Sequence, residues 1–449
     1  GYIKPMRTFH TRRGLAAFPL VCGIALGSLS LGAQKAPVAS LNVHEKALVR
    51  AVDTHNAAAV ALLISVVNIN SGSLNLAGVR KVGDLFRAQY DSLGFTTRWV
   101  DGSGFQRAGH LVAEHPGTGP KLLLIGHLDT VFEPTSPFQQ FKMLNDSTAT
   151  GPGVIDMKGG DVIALYALRA LKQAGLLDRM NITVVYNGDE EESGTPLSLA
   201  RKTLIDAAKG ATAAIGFEDG AGDPRTAVIS RRGDDGWILR TTGVPAHSSQ
   251  IFTPDVGAGA VYEAARILDQ FYQKLSQERY LTFNPGFALG GTDVKPDTTG
   301  TEGSGAGKAN VVAKEMFVSV DLRTLSPEQL ASSRKAMREI VANHLPHTTA
   351  DIKFEDGYPP MAPTDGNRKL LSIYDQVSKD LGYGPVVAVD PSRAGAADVS
   401  FVANLVPMAI DGLGLSGRDD HTVNETANLH MLPVVTKRVA VLLYRLGNP

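Results

Sequence analysis

Three short apolar segments constrain the fold of this chain more than any other feature. Segments 121–125, 182–186 and 213–217 are bounded by turn residues, as expected of strands that are buried on both faces. Between the first two, segment 161–174 carries valine and leucine at helical spacing and is followed by Gly175. This strand–helix–strand order predicts an α/β domain with a mostly parallel sheet sandwiched by helices.

The middle of the chain has a different pattern. In segment 316–323 apolar and polar side chains alternate, which is typical of a strand with one solvent-facing side. A second strand is predicted at 237–241, with helices at 256–275 and from Ser326 to about residue 344. The interval 286–308 is rich in Gly, Thr and Asp, so we expect a mobile loop there. The pattern predicts an α+β unit.

The helical pattern of an α/β domain resumes after this unit, near residues 368–382 and 432–446. The chain therefore divides into an α/β domain formed by residues 34–224 and 346–449, with an inserted lid at 225–345.

The first 33 residues resemble a secretory signal peptide. Four basic residues precede an apolar run at 14–33 that closes with small residues. We expect a periplasmic or secreted protein, and a retained membrane anchor is the alternative. No other segment has about 20 consecutive apolar residues, so we expect no stable membrane span after cleavage.

Charge and cysteine content exclude several classes of function. The chain has 44 Lys and Arg against 45 Asp and Glu, which gives no electrostatic footprint for nucleic acid. A single cysteine, Cys22, cannot form an internal disulfide or a thiolate zinc cage. Any metal site must therefore use His and carboxylate ligands.

The first candidate site follows segment 121–125 directly. In an extended segment His127 and Asp129 point the same way, so the carboxylate can fix the imidazole in one tautomer while the other nitrogen meets a metal. The alternative is a hydrogen-bonded His–Asp pair without a metal.

Further candidates follow the other predicted strands. Asp156 lies in the glycine-bracketed loop 151–160, where the alternative role is a helix cap. Residues 189–192 are four adjacent carboxylates, which could also be a solvated acidic loop. Glu218 follows the third strand and His421 ends a glycine-rich loop. Together these side chains suit a pair of divalent first-row metals.

These motifs resemble those of the zinc-dependent M20 metallopeptidases, a family that includes carboxypeptidases, deacylases and dipeptidases. The matching motifs are Gly-His-x-Asp-Thr-Val at 126–131, Gly-x-Gly-x-x-Asp-Met-Lys-Gly-Gly at 151–160 and Asp-Glu-Glu at 189–191. The resemblance runs from about residue 43 to the C-terminus and implies the fold of a zinc exopeptidase with an inserted lid that pairs two subunits into a homodimer.

The resemblance also implies two zinc ions per subunit. Asp156 would bridge both ions, His127 and Glu218 would complete one site, and Glu191 and His421 would complete the other. The family usually has a cis peptide bond after the bridging aspartate.

Catalytic roles follow from the same resemblance. Glu190 would be the general base that acts on a water molecule, and Asp129 would hold His127. His247, in the motif 245–249, would reach into the active site of the other subunit and stabilise the oxyanion. The alternative for His247 is an ordinary loop histidine.

Asn310 and Arg323 match positions that grip the terminal carboxylate of the substrate in carboxypeptidase-like members, and Gly414 is a further expected substrate contact. A surface arginine is the alternative for Arg323. Segment 392–398 departs from the Gly-Gly-Thr-Asp motif of many relatives, which leaves the exact substrate open.

The sequence therefore predicts dinuclear zinc-dependent hydrolysis of an amide bond by a carboxypeptidase. Its substrate would be a small peptide or an N-acyl amino acid, with glutamate as a candidate leaving residue. An N-acyl-amino-acid deacylase or a dipeptidase is the alternative within the family. A periplasmic peptide-binding protein is the non-enzyme alternative, but it would not need the His and carboxylate set. The chain contains no Gly-x-Ser-x-Gly pentapeptide, which argues against a serine hydrolase.

Overall fold

The computed structural model describes residues 41–447. This part of the chain contains nine α-helices, and several begin with a side-chain cap. Ser326 Oγ, for example, accepts a hydrogen bond from the Gln329 amide at 3.1 Å, as its sequence predicts. The helices are α1 Val43–Val67, α2 Leu76–Leu93, α3 Lys158–Gln173, α4 Leu197–Ala200, α5 Lys202–Ala207, α6 Ala260–Leu275, α7 Pro327–Val341, α8 Asp365–Asp380 and α9 Met431–Gly447.

The same residues form 18 strands. The first nine are β1 Thr96–Asp101, β2 Gly109–His115, β3 Lys121–His127, β4 Lys142–Met143, β5 Thr148–Thr150, β6 Asn181–Asn187, β7 Ala213–Gly216, β8 Thr226–Ala227 and β9 Asp234–Gly243. The others are β10 Thr282–Gly291, β11 Asp293–Pro296, β12 Gly303–Ala306, β13 Glu315–Arg323, β14 Thr348–Tyr358, β15 Val387–Ala388, β16 Met408–Ile410, β17 Gly417–Arg418 and β18 Thr426–Asn428.

The main sheet has six strands in the order β1-β2-β6-β3-β7-β16. Strands β6, β3, β7 and β16 are parallel, whereas at one edge β2 pairs in antiparallel orientation with β6, and β1 pairs in antiparallel orientation with β2. The predicted α/β class with a mostly parallel sheet is therefore confirmed. Because β6, β3 and β7 are neighbours and parallel, the residues that follow them meet at one edge of the sheet.

Both faces of this sheet are buried. Along β3, Leu122 and Leu124 pack into one core beneath α1, α2, α3 and α9, while Leu123 and Ile125 belong to a second core on the opposite face. Successive side chains of β3 therefore point alternately into two apolar cores. For this reason the sequence shows a continuous apolar run rather than an alternation of apolar and polar residues.

A second sheet, the lid sheet, has four antiparallel strands in the order β10-β13-β9-β14. Helices α6 and α7 cover it, and their apolar side chains form a separate core with those of the sheet. The sheet ends at Tyr358 and so extends beyond the expected lid boundary at residue 345. The expected boundary at residue 225 also differs, because β8 pairs with β15, a strand of the second part of the α/β domain.

The expected mobile loop at 286–308 is wrong for most of its length. Strand β10 pairs with β13 through residue 291, and β11 and β12 form an antiparallel pair beyond it. The pairing of β10 is with a strand distant in sequence, so local composition did not reveal it.

The predicted signal peptide at 1–33 lies outside the described residues. Within residues 41–447, α1 alone is long and apolar enough to cross a membrane, with a mean hydropathy of 1.3 in its most apolar window. This finding differs from the expectation that no later segment approaches such a length. One side of α1, including Leu48, Val52 and Leu63, is buried in the core that it shares with α3 and α9.

Candidate metal centre

The predicted metal ligands converge at the carboxyl ends of three neighbouring strands. His127 is the last residue of β3, while Glu191 follows β6 and Glu218 follows β7. Asp156 lies in the loop before α3, and His421 lies in the loop between β17 and β18. Parallel strands that end together deliver their following residues to one place, so separate parts of the chain build a single site.

Asp156 is the centre of this arrangement. Its Oδ1 lies 3.1 Å from Nε2 of His127, and its Oδ2 lies 2.8 Å from Nε2 of His421. Nε2 of His127 is also 3.5 Å from Oε1 of Glu218, and Nε2 of His421 is 3.1 Å from Oε2 of Glu191. Each imidazole therefore faces Asp156 and one further carboxylate. The peptide bond between Asp156 and Met157 is cis, as expected.

The distances between these atoms fit divalent ions. Two ligand atoms bound to one tetrahedral Zn²⁺ at about 2.0–2.1 Å lie roughly 3.4 Å apart. Ligand atoms of His127, Asp156 and Glu191 lie within 4.8 Å of one another, and so do those of Asp156, Asp420 and His421. Asp420 is a carboxylate that the motif match did not assign to the site.

An unsatisfied polar atom supports the same conclusion. Among residues 41–447, the buried Oε1 of Glu191 has no hydrogen-bond partner. A buried carboxylate oxygen without a partner is costly, and a metal ion would compensate it. The donor set of imidazole and carboxylate groups also matches the preference of divalent first-row metals.

Electrostatics in the cluster reflect its excess of carboxylates. Burial raises the pKa of Glu190 well above its ordinary value, and burial also raises the pKa of Glu191 to about 7. Burial alone would lower the pKa of His127, but Glu218 and its other carboxylate neighbours raise that pKa well above its ordinary value. Hydrogen bonds to Asp156 and Glu191 raise the pKa of His421 to about 11. Without cations, protonated imidazoles offset this buried negative charge.

Asp129 contacts both His127 and the segment that carries Glu190 and Glu191. Its side chain is fully buried, and its Oδ1 lies 3.4 Å from Nδ1 of His127. The same nitrogen lies 3.1 Å from the backbone oxygen of Asp129, so both acceptors face it. The carboxylate also accepts hydrogen bonds from the amides of Glu190 and Glu191 at 3.0 and 3.1 Å, and from Ser73 Oγ at 2.6 Å. Asp129 therefore connects the orientation of His127 to that of the two glutamates.

Two supporting carboxylates were missed by the motif analysis. Glu425 is buried and accepts hydrogen bonds from the amides of Gly153 and Ile155 at 3.0 and 2.8 Å, which fixes the loop that carries Asp156. Asp411 accepts a hydrogen bond from the Glu218 amide at 3.2 Å. Both residues act through backbone contacts across more than 190 positions in the chain, so no local pattern marks them.

A cavity of about 520 Å³ opens beside the cluster. It is lined by Asp156, Glu190, Glu218 and His421 of the cluster and by Arg231, Arg393 and Arg418. Arg231 is paired with Asp411 at 2.9 Å, whereas Arg393 and Arg418 are exposed. Glu190 is thus the expected catalytic side chain that reaches both the cluster and the open space.

The expected substrate contacts are not among the described residues that line this cavity. Arg323 lies on β13, where its guanidinium is paired with Asp321 at 2.8 Å and with Asp234 at 3.3 Å. Gly414 is buried, and its amide donates to the Glu218 carbonyl oxygen at 2.8 Å, so it supports the strand end that carries this ligand.

His247 and Asn310 lie next to each other in the lid. The backbone amide of Ser248, the residue after His247, donates a hydrogen bond to the Asn310 carbonyl oxygen at 2.9 Å. The His247 ring is exposed, and its Nδ1 lies 2.8 Å from Ser249 Oγ. Like Arg323, His247 is outside the set of described residues that line the cavity of its own chain.

Known proteins share this architecture. The sequence is 26% identical over 438 residues to carboxypeptidase G2 from Pseudomonas sp. (strain RS-16), which covers 96% of this chain and 99% of that protein. The structure is similar to that of the aminopeptidase PepT from Bacillus cereus, with a TM-score of 0.68 and 18% identity over 87% of this chain and 98% of that one.

A second solved structure with the same fold is the YXEP protein of Bacillus subtilis, described as a dinuclear metal-binding peptidase of the M20 family. Its TM-score is 0.61, with 15% identity over 88% of this chain and 99% of that one. The sequence profile of peptidase family M20/M25/M40 matches residues 123–445, which is most of the chain. This match decides between the hydrolase and the peptide-binding alternatives in favour of the hydrolase. The chain belongs to peptidase family M20/M25/M40, whose members are metal-dependent hydrolases.

Proposed function

We propose that this protein is an exported, dinuclear zinc carboxypeptidase that releases the C-terminal residue of a small peptide or an N-acyl amino acid. The observation that carries the proposal is the position of Asp156, whose two carboxylate oxygens each face a different imidazole at 3.1 and 2.8 Å. One carboxylate between two sets of ligands is the arrangement that two metal ions require.

In this proposal His127, Asp156 and Glu218 would hold one ion, and Asp156, Glu191 and His421 would hold the other. When bound, two divalent ions supply Lewis acidity that lowers the pKa of a water molecule and polarises the scissile carbonyl group. Glu190, which lines the cavity, accepts the proton of the attacking water and delivers it to the nitrogen of the leaving amine.

Asp129 fixes the positions of His127 and Glu190 relative to each other. It holds His127 and the backbone of Glu190, so ligand and base stay at a fixed separation. We assign it a positioning role in the reaction.

The lid supplies the remaining groups in a homodimer. His247 is exposed and lies outside the cavity of its own chain, which supports a role in the active site of a second subunit, where it stabilises the oxyanion. Asn310 is adjacent to His247 and enters with it to bind the substrate. Arg323 is assigned to the terminal carboxylate of the substrate. In this role its guanidinium group breaks its ion pairs with Asp321 and Asp234 and forms one with the substrate.

A glutamate-like leaving residue is supported by the cavity itself. Arg393 and Arg418 line it and are exposed, so their guanidinium groups can meet a second carboxylate on the substrate. Deacylase and dipeptidase activities use the same centre and remain the alternatives within the family.

The decisive experiment is hydrolysis of a panel of N-acyl amino acids and dipeptides, with and without a chelator. We expect N-acyl glutamate to be the best substrate, and we expect the chelator to abolish turnover and added Zn²⁺ to restore it. Turnover that resists the chelator would contradict the metal mechanism. Preferential cleavage of free dipeptides would replace the carboxypeptidase assignment with that of a dipeptidase.

A further inference from the structure

Tyr358 lies where the lid sheet returns to the α/β domain. It is the last residue of β14 and pairs with Asp234, the first residue of β9, so the two connections to the lid lie side by side. Arg231 and Met361 exchange backbone hydrogen bonds just beyond this pair. Tyr358 therefore lies beside both connections between the lid sheet and the α/β domain.

The hydroxyl group of Tyr358 points away from the lid and into the active-site loop. It donates a hydrogen bond to the backbone oxygen of Glu190 at 3.0 Å. It also lies 3.0 Å from Ser193 Oγ, three residues further along the same loop. A side chain of the lid sheet thus contacts the segment that carries the proposed base and the ligand Glu191.

A buried arginine holds this hydroxyl in place. Arg201 is fully buried, and its Nη1 donates to Asp189 Oδ1 at 2.7 Å while its Nε lies 2.7 Å from Asp398 Oδ1. Its Nη2 donates to the hydroxyl of Tyr358 and, at 2.9 Å, to Ser193 Oγ. Asp189 and Asp398 therefore compensate the positive charge of the buried guanidinium, which would otherwise be costly away from water.

The direction of the hydrogen bonds follows from the donor inventory. Arginine can only donate, so the Tyr358 oxygen must accept from Arg201. The hydroxyl has a single proton, which is then free to point at the Glu190 carbonyl oxygen. A phenylalanine at this position would keep the ring contacts but would leave that backbone oxygen and the arginine without their common partner.

From these contacts we propose that Tyr358 is a positioning residue of the lid sheet that holds the backbone of Glu190 and so keeps this side chain in place. The inference rests on the proposed role of Glu190 as the base. The lid sheet and the segment that carries the proposed base are joined through this one hydroxyl group, so the position of Glu190 depends on that contact.

The test is the variant Tyr358→Phe, assayed on the best substrate of the panel and by amide hydrogen exchange. We expect kcat to fall roughly five- to tenfold, as for the loss of one hydrogen bond, with KM and metal content nearly unchanged. We expect exchange in residues 188–194 to be faster by a similar factor, because their backbone anchor has been removed.

Tyr374→Phe is the matched control. Tyr374 is 2% exposed on α8, its hydroxyl group is hydrogen-bonded to Arg438, and neither residue lines the cavity, so the same group is removed from beside another arginine. A Tyr358→Phe protein with unchanged kcat and unchanged exchange would overturn the inference, as would an equal loss of kcat in the control. A parent chain that hydrolyses nothing would overturn the proposed function instead, while the exchange measurement would still decide whether Tyr358 holds the loop.

Discussion

The carboxyl edge of the main sheet and the lid place their candidate residues in opposite environments. At the sheet edge His127 is 1% exposed and Asp129 is fully buried, and each contacts other charged groups. In the lid His247 is exposed, and its Nδ1 is hydrogen-bonded to the hydroxyl group and the backbone amide of the neighbouring Ser249.

This difference separates two kinds of functional residue. Buried charges such as those of the sheet edge are costly unless something compensates them, so their arrangement already implies a metal ion. An exposed imidazole carries no such free-energy cost, so its position alone does not imply a ligand. Its role depends on which other molecule or subunit contacts it. We therefore expect substitutions at the sheet edge to act within one chain and substitutions at His247 to act between chains.

The largest expected effect is at the sheet edge. Glu190→Gln removes the proposed proton acceptor, so kcat should fall by about 10²- to 10⁴-fold while the metal content is retained. Glu192→Gln is the control, because this neighbouring glutamate is exposed and paired with Arg107 on the surface. Steady-state kinetics with metal analysis measures both. A fully active Glu190→Gln variant would show that another group is the base.

A substitution in the lid should be nearly as severe but should be rescued by a second chain. His247→Ala removes the proposed oxyanion donor and should lower kcat by about 10²- to 10³-fold. Mixing this variant with Glu190→Gln under conditions of subunit exchange should restore roughly a quarter of the parent activity, since half of the dimers are mixed and each has one complete site.

The exposed His430 provides a control, and His430→Ala should retain full activity. If the mixture is no more active than its two components, His247 does not act between chains.

The smallest effect concerns the stability of the lid alone. Burial alone would raise the pKa of Glu263, but Arg266 and the Leu345 amide outweigh it and lower the pKa below 4.5. A lowered carboxylate pKa stabilises the fold above pH 4.5 and loses that contribution as the pH falls through the folded-state value. Glu263→Gln should lower the free energy of unfolding by about 1–3 kcal/mol at neutral pH and flatten its decline in acid.

Thermal or denaturant unfolding followed from pH 7 to pH 3 measures this contribution. Glu339→Gln, a change at an exposed position, should leave both the stability and its pH dependence unchanged. A Glu263→Gln protein whose pH profile matches that of the parent would show that this buried pair does not stabilise the lid.

The sequence predicts the sheet edge well because its signals are local. The apolar runs before His127 and Glu218 lie in strands that are buried on both faces. The polar residues that follow these runs therefore lie at the carboxyl ends of the strands. The spacing of the motifs then predicts the ligands, and the structure places His127 3.1 Å from Asp156 and 3.5 Å from Glu218.

What the sequence did not reveal depends on pairing between distant segments. Glu425 contacts a loop 272 residues away, and Tyr358 contacts Glu190 across 168 residues. The strands in 286–308 are mostly exposed and rich in glycine, so their composition is that of a loop, although β10 pairs with β13. Such contacts leave no periodic trace in the segments that make them.

We propose that the buried charges at the sheet edge hold two metal ions in one chain. The most direct test is the metal content of the parent chain and of Asp156→Asn after equilibration with Zn²⁺ and removal of the free ion. We expect two ions per chain in the parent and the loss of both in the variant, because Asp156 faces both imidazoles. A parent chain that retains one ion or none, or a variant that retains two, would contradict it.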